Sequence, residues 1–138
     1  MTGVVAIGAD RDPQHWRGTR ADNVHLTSFV QQRLLLAATD VFITHAGFNG
    51  TREALGAGVP MVTIPMFAEQ PANAARVTEL GAGVRIELER AAPQAIRSAV
   101  QQVLTDPSFR ARARGVQRSM LALPPLSRIT DDLTGLFG

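Results

Sequence analysis

The stretch from Phe42 to Pro65 constrains the fold more than any other. It reads Phe-Ile-Thr-His-Ala-Gly-Phe-Asn-Gly-Thr-Arg-Glu-Ala-Leu-Gly-Ala-Gly-Val-Pro-Met-Val-Thr-Ile-Pro. An apolar run, a glycine-containing turn, a helical pattern and a second apolar run follow one another directly. Continuous apolar runs read as strands covered on both faces, and strands alternating with helices read as a parallel α/β sheet. His45 falls at the carboxyl end of the first strand. The turn Ala46 to Gly50 opens a helix that ends at Gly56 or Gly58. Ligands of open α/β sheets bind outside the carboxyl ends of the strands. Free N–H groups and the positive end of the dipole at a helix start attract phosphate. Gly47 and Gly50 would let backbone approach such an anion closely. A turn of this kind also serves packing alone, so both readings stand on the residues themselves. It is neither a Walker loop nor Gly-x-Gly-x-x-Gly, and the chain has no lysine.

The same alternation extends to both sides. Further strands are expected at Val4–Gly8, Val24–Leu26 and, more weakly, Gly83–Glu87, beside Val41–Thr44 and Met61–Ile64. Helical patterns cover residues 31–38, 49–57 and 70–80. Past residue 90 the chain is helical: Pro93 suits a first turn, and Ile96, Ala99, Val100, Val103 and Leu104 mark an amphipathic face. A second helix is expected from Ser108 to about Leu121 and a short last one from Ser127. With 138 residues, the expectation is one domain covering 1–138. Its fold class is α/β, a Rossmann-like three-layer sandwich with a mostly parallel sheet of about five strands and a helical carboxyl-terminal portion.

Composition removes several classes of function. There is no cysteine, which excludes disulfides, thiolate catalysis and zinc–thiolate sites and fits a reducing, cytoplasmic setting. No apolar run is long enough to span a membrane, and the start lacks the basic region of a signal peptide. The net charge is only +2, and all 14 basic residues are arginine, so the balance does not point to nucleic acid. Arg110, Arg112, Arg114 and Arg118 read as a solvated helix face. Asp10-Arg11-Asp12 has the D-x-D form of a metal site, but nothing around it supports one. His15, His25 and His45 fall on separate elements, and there is no convincing Ser-His-Asp set.

Three further segments complete a pattern: Val-His-Leu-Thr-Ser-Phe-Val-Gln-Gln from Val24, Gly-Val-Pro-Met-Val from Gly58, and Pro-Met-Phe-Ala-Glu-Gln-Pro-Ala-Asn-Ala from Pro65 to Ala74. With Thr-His-Ala-Gly-Phe-Asn-Gly-Thr-Arg-Glu-Ala-Leu between them, this order and spacing resembles the donor-binding signature of the UDP-glycosyltransferase superfamily. Within that superfamily it is similar to bacterial macrolide and natural-product glycosyltransferases of GT-B architecture. The resemblance covers over fifty residues.

The resemblance implies a role for each matching position. Phe29 takes the place of an aromatic stacked on the nucleotide base, worth about 1–3 kcal/mol; by itself it also reads as a core residue. Val30 and Gln32 fall beside base and ribose, and Gln31 replaces a usual proline. His45, Gly47, Asn49, Gly50 and Thr51 would hold the diphosphate, together with the N–H groups of Gly47 to Thr51. Gly50 replaces a usual serine or threonine and so lacks a hydroxyl. Thr51 would supply one or cap the helix. Glu53 would accept from ribose hydroxyls. Phe48, Glu69 and Gln70 would meet the donor sugar, and Asn73 is expected to cap or brace the following helix.

The family's fold has two halves, and the resemblance covers only the carboxyl-terminal, donor-binding one. It implies transfer of a sugar from a UDP- or dTDP-sugar to a hydroxyl of a small acceptor, inverting and with neither metal nor other cofactor. The general base is expected in an amino-terminal acceptor-binding half, so no catalytic residue is assigned in this chain. That half is expected in a longer protein or in a partner chain. A non-catalytic nucleotide-sugar-binding module is the remaining alternative. A first strand and helix of the donor half are also expected to be missing, which would expose a sheet edge and favour self-association or a partner. NAD binding is not expected.

Overall fold

A computed structural model describes residues 1–124. The chain falls into two compact units, Met1–Leu35 and Leu36–Gly138.

In the first unit, β1 (Gly3–Ala6) and β2 (Val24–Thr27) pair in parallel, from Gly3 opposite Val24 to Ala6 opposite Thr27. A 3₁₀ turn, Pro13–His15, lies between them, with Asp12 accepting from the Gln14 N–H at 2.9 Å. Asp12 thus caps a turn. The burial expected for β1 is not found. Val4 and Val5, neighbours on opposite faces, are 43% and 44% exposed. The physical reason is the small size of the unit: one two-stranded sheet and one turn offer little to lay over either face.

The second unit begins at Leu36, the last residue of α1 (Gln32–Leu36). It continues through β3 (Phe42–Thr44), α2 (Phe48–Gly56), β4 (Met61–Thr63), α3 (Gln70–Glu79) and β5 (Gly83–Arg85). A 3₁₀ turn at Leu88–Arg90 leads to α4 (Pro93–Thr105) and α5 (Pro107–Leu121). The strands form a parallel sheet ordered β3-β4-β5, with Thr44 opposite Thr63 and Thr63 opposite Arg85. The five strands expected are therefore present and parallel, but they form sheets of two and three rather than one sheet of five, because each ladder closes within its own unit.

Strand β4 shows why the second unit has three layers. Successive strand residues face opposite sides. Met61 packs with Leu36, Ala54, Val59, Val77, Ala82 and Ala113, drawing α2, α3 and α5 onto one face. Val62 packs with Ala99, Val100 and Val103 of α4 on the other. Both are fully buried, each burial being worth about 1.5–3 kcal/mol. Edge position explains why β3 is only partly covered, with Ile43 47% exposed.

Gly83 allows α3 to lie close on the sheet. A β-carbon there would run into the Met61 carbonyl oxygen and stand 2.9 Å from Val77 Cγ1. At the other end of α2, the Gln117 amide donates to the Gly56 carbonyl at 2.9 Å. The arginine face of α5 is solvated at Arg112, Arg114 and Arg118, but Arg110 departs from that expectation. Its guanidinium donates to the carbonyl oxygens of Thr39 and Asp40 and pairs with Asp40 Oδ1 at 3.2 Å, tying α5 to the approach to β3. The helix expected from Ser127 lies outside the described residues.

Candidate functional site

Because Thr44 and Thr63 are register partners, the β3–α2 turn and the β4–α3 loop leave the sheet at the same, carboxyl, end. The first turn is short and held from within. Ala46 is fully buried with a φ of 64°, in the left-handed region. Its N–H donates to Thr44 Oγ1 at 3.2 Å, and its carbonyl accepts from Asn73 Nδ2 at 3.0 Å. His45 precedes it, exposed. The imidazole lies against Gly47: a β-carbon on Gly47 would stand 3.2 Å from His45 Cδ2 and nearer still to Nε2.

Gly47 is the N-cap of α2, and no side chain caps the helix. The first N–H groups of a helix have no partner within it. Of the N–H groups from Gly47 to Thr51, that of Thr51 is already used, donating to the Gly47 carbonyl at 3.0 Å. The amino end of α2 therefore presents Phe48, Asn49 and Gly50, the first two exposed. The capping role considered for Thr51 is not found. Its hydroxyl is buried and has no hydrogen-bond partner, an arrangement uncommon enough to need a reason. Glu53, two residues further along α2, is half-buried.

The second loop is braced by Gln70. Its Oε1 accepts from the N–H groups of Met66 and Phe67 at 2.9 and 3.3 Å, which occupies both lone pairs. Gln70 itself is 6% exposed, so only its Nε2 remains to face a ligand. Ala68, at φ 55°, turns the chain before Glu69, which is exposed at the start of α3. Asn73 does not cap α3; it braces the β3–α2 turn instead.

His45, Gly47, Phe48, Asn49, Gly50, Thr51, Glu53, Glu69 and Gln70 thus all lie in the second unit, on two loops and the first turns of the helices that follow. Phe29, Val30 and Gln32 lie in the first. Phe29 is 70% exposed, so it is not a core residue, and its carbonyl accepts from Thr27 Oγ1 at 2.9 Å. Sequence reasoning missed Thr44 and Ala46, and also the exposed apolar pair Met66 and Phe67. Ala46 gives no signal in the sequence, since a non-glycine residue rarely takes a positive φ. For Asn73 the resemblance implies a cap or brace of the following helix, whereas the turn it braces is that between β3 and α2.

Comparison with known proteins finds glycosyltransferase relatives. The family model described as erythromycin biosynthesis protein CIII-like, C-terminal domain, matches residues 4–136. The chain is 36% identical over 117 residues to the NDP-glycosyltransferase YjiC of Bacillus subtilis (strain 168), covering 85% of this chain and 30% of that protein. It is 36% identical over 137 residues to UDP-glucuronosyltransferase 2B7 of Homo sapiens, covering 91% and 26%. The solved structure of the glycosyltransferase VinC in complex with dTDP matches with a TM-score of 0.79 at 29% identity, over 85% of this chain and 30% of that one. The chain spans about a third or less of the length of these relatives. On the match over residues 4–136, this chain belongs to the erythromycin biosynthesis protein CIII-like C-terminal domain family.

Proposed function

We propose that residues 1–138 make up one donor-binding domain of a glycosyltransferase that moves a sugar from a UDP- or dTDP-sugar to a hydroxyl of a small-molecule acceptor. The observation that carries this reading is the His45 imidazole lying against the N-cap glycine of an uncapped helix. A nucleoside diphosphate gathers negative charge as the sugar leaves. Donors fixed in advance where that charge develops stabilise it without reorganising. Here they are His45 and the amino end of α2, whose first turn includes Thr51. Such donors make a metal unnecessary for the departure.

Phe29, with Val30 and Gln32, receives the base and ribose, and Glu53 accepts from the ribose hydroxyls. Phe48, Glu69 and the Gln70 amide meet the sugar. The acceptor and its general base belong to an amino-terminal half, in the same polypeptide or a partner chain, and the transfer inverts the sugar carbon. The bare valines of β1 support a need for such a cover, and self-association is the other way to provide it. Among the described residues no helix is long and apolar enough to cross a membrane. A cytoplasmic setting is part of the proposal.

Calorimetric titration of the chain with UDP, dTDP, their glucose conjugates and NAD tests it. Saturable binding of a pyrimidine diphosphate, with none of NAD, is expected. Binding of NAD alone, or of no nucleotide, would overturn the assignment.

A further inference from the structure

We propose that Asn73 is a positioning residue for the diphosphate site: its side-chain amide sets the turn that carries His45. This rests on the reading above. Ala46 holds a conformation that a residue with a β-carbon keeps only when its surroundings impose it. It is also fully buried, so both of its backbone polar groups need partners inside the protein. Side chains provide them from two sides. Thr44 at the end of β3 takes the N–H, and Asn73 on α3 holds the carbonyl, 27 positions away in the chain.

The peptide so fixed lies between His45 and Gly47, so its orientation sets both the direction of the imidazole and the start of α2. Asn73 lies three residues after Gln70, and residues three apart share a helix face. The face that grips Met66 and Phe67 through Gln70 therefore also grips Ala46 through Asn73. Without the Asn73 amide, a buried carbonyl loses its donor, and a left-handed alanine loses one of the two bonds that hold it. Relaxation of Ala46 toward a negative φ would then swing His45 away from Gly47.

The test uses the full 138-residue chain, isotope-labelled, with Asn73→Ala and Asn73→Asp; the second keeps the volume and replaces the donor by an acceptor. In the nucleotide-free variants the amide resonances of His45 to Gly50 and the His45 ring resonances are expected to shift, while those of Val62 and Val84 stay in place. Affinity for UDP is expected to fall about tenfold, as for a lost hydrogen bond to a charged group, while affinity for uridine is kept. Unmoved loop resonances in both variants would overturn the proposal. So would equal losses for UDP and uridine, or unfolding of both variants, since Asn73 would then serve the fold at large. Should the unaltered chain bind neither compound, the proposed function fails by itself, and the nucleotide-free resonances still decide the role of Asn73.

Discussion

The His45 imidazole occupies the space that a side chain on Gly47 would need: a β-carbon there would stand 2.5 Å from Nε2. Backbone conformation is not what requires glycine, since φ −61° and ψ 149° suit any residue. Gly47→Ala therefore separates fold from site. The stability loss is expected to stay near that of a poorer N-cap, below about 1 kcal/mol. The imidazole must move, and UDP affinity should fall about tenfold, the scale of a lost charged hydrogen bond. Paired calorimetry and thermal melts check this; unchanged affinity would show that His45 does not depend on the gap above Gly47.

Removing the imidazole itself gives a sharper discrimination. His45→Ala is expected to weaken UDP about tenfold or more while leaving uridine nearly untouched, because only the diphosphate carries the charge that the donor meets. Equal losses for the two would make His45 structural.

Gly83 makes the opposite prediction, a large effect on folding from a residue away from the loops. In Gly83→Ala the new methyl meets a backbone carbonyl and a buried valine, and neither is the free end of a long side chain. Overpacking of this kind costs about 1–3 kcal/mol. Urea denaturation should show a lower midpoint with the same slope; an unchanged midpoint would mean that α3 lifts from the sheet at no cost.

Asp106 supplies a pH dependence. Hydrogen bonds from the Ser108 hydroxyl and backbone N–H hold its carboxyl below the usual carboxylate range. A carboxylate lowered on folding adds stability above its unfolded pKa, and that contribution is lost as pH falls through the folded value. The loss begins below about pH 4. Asp106→Asn keeps an N-cap and removes the titration, so acid denaturation should be less steep in the variant. Superimposed acid profiles would show that this cap carries no linkage.

The order of elements was legible because burial imposes it. Met61-Val62-Thr63 has no charged position, and the strand is buried throughout. Ile96, Ala99, Val100 and Val103 repeat at helical spacing, and they pack against Val62. The apolar run at Val4 and Val5 looks the same in sequence, yet those side chains are exposed. A run of residues records that a strand can be covered, not what covers it. At the site, His45 and Gly47 stood out by residue type. The bonds that hold them did not, since Thr44 and Asn73 act through the backbone of an alanine whose conformation no local preference predicts.

The register pairing of Thr44 with Thr63 has a consequence for how this domain could change its ligands. Neighbouring strands are about 4.8 Å apart, and β4 is locked between two cores of opposite faces. The roots of the two loops are thus separated by a fixed ruler. Sliding β4 by one residue would turn Met61 toward α4 and Val62 toward α2, exchanging the two interiors. A change of ligand that keeps this spacing would therefore fall on the loop tips: Phe48 and Asn49 on one side, Met66 to Glu69 on the other.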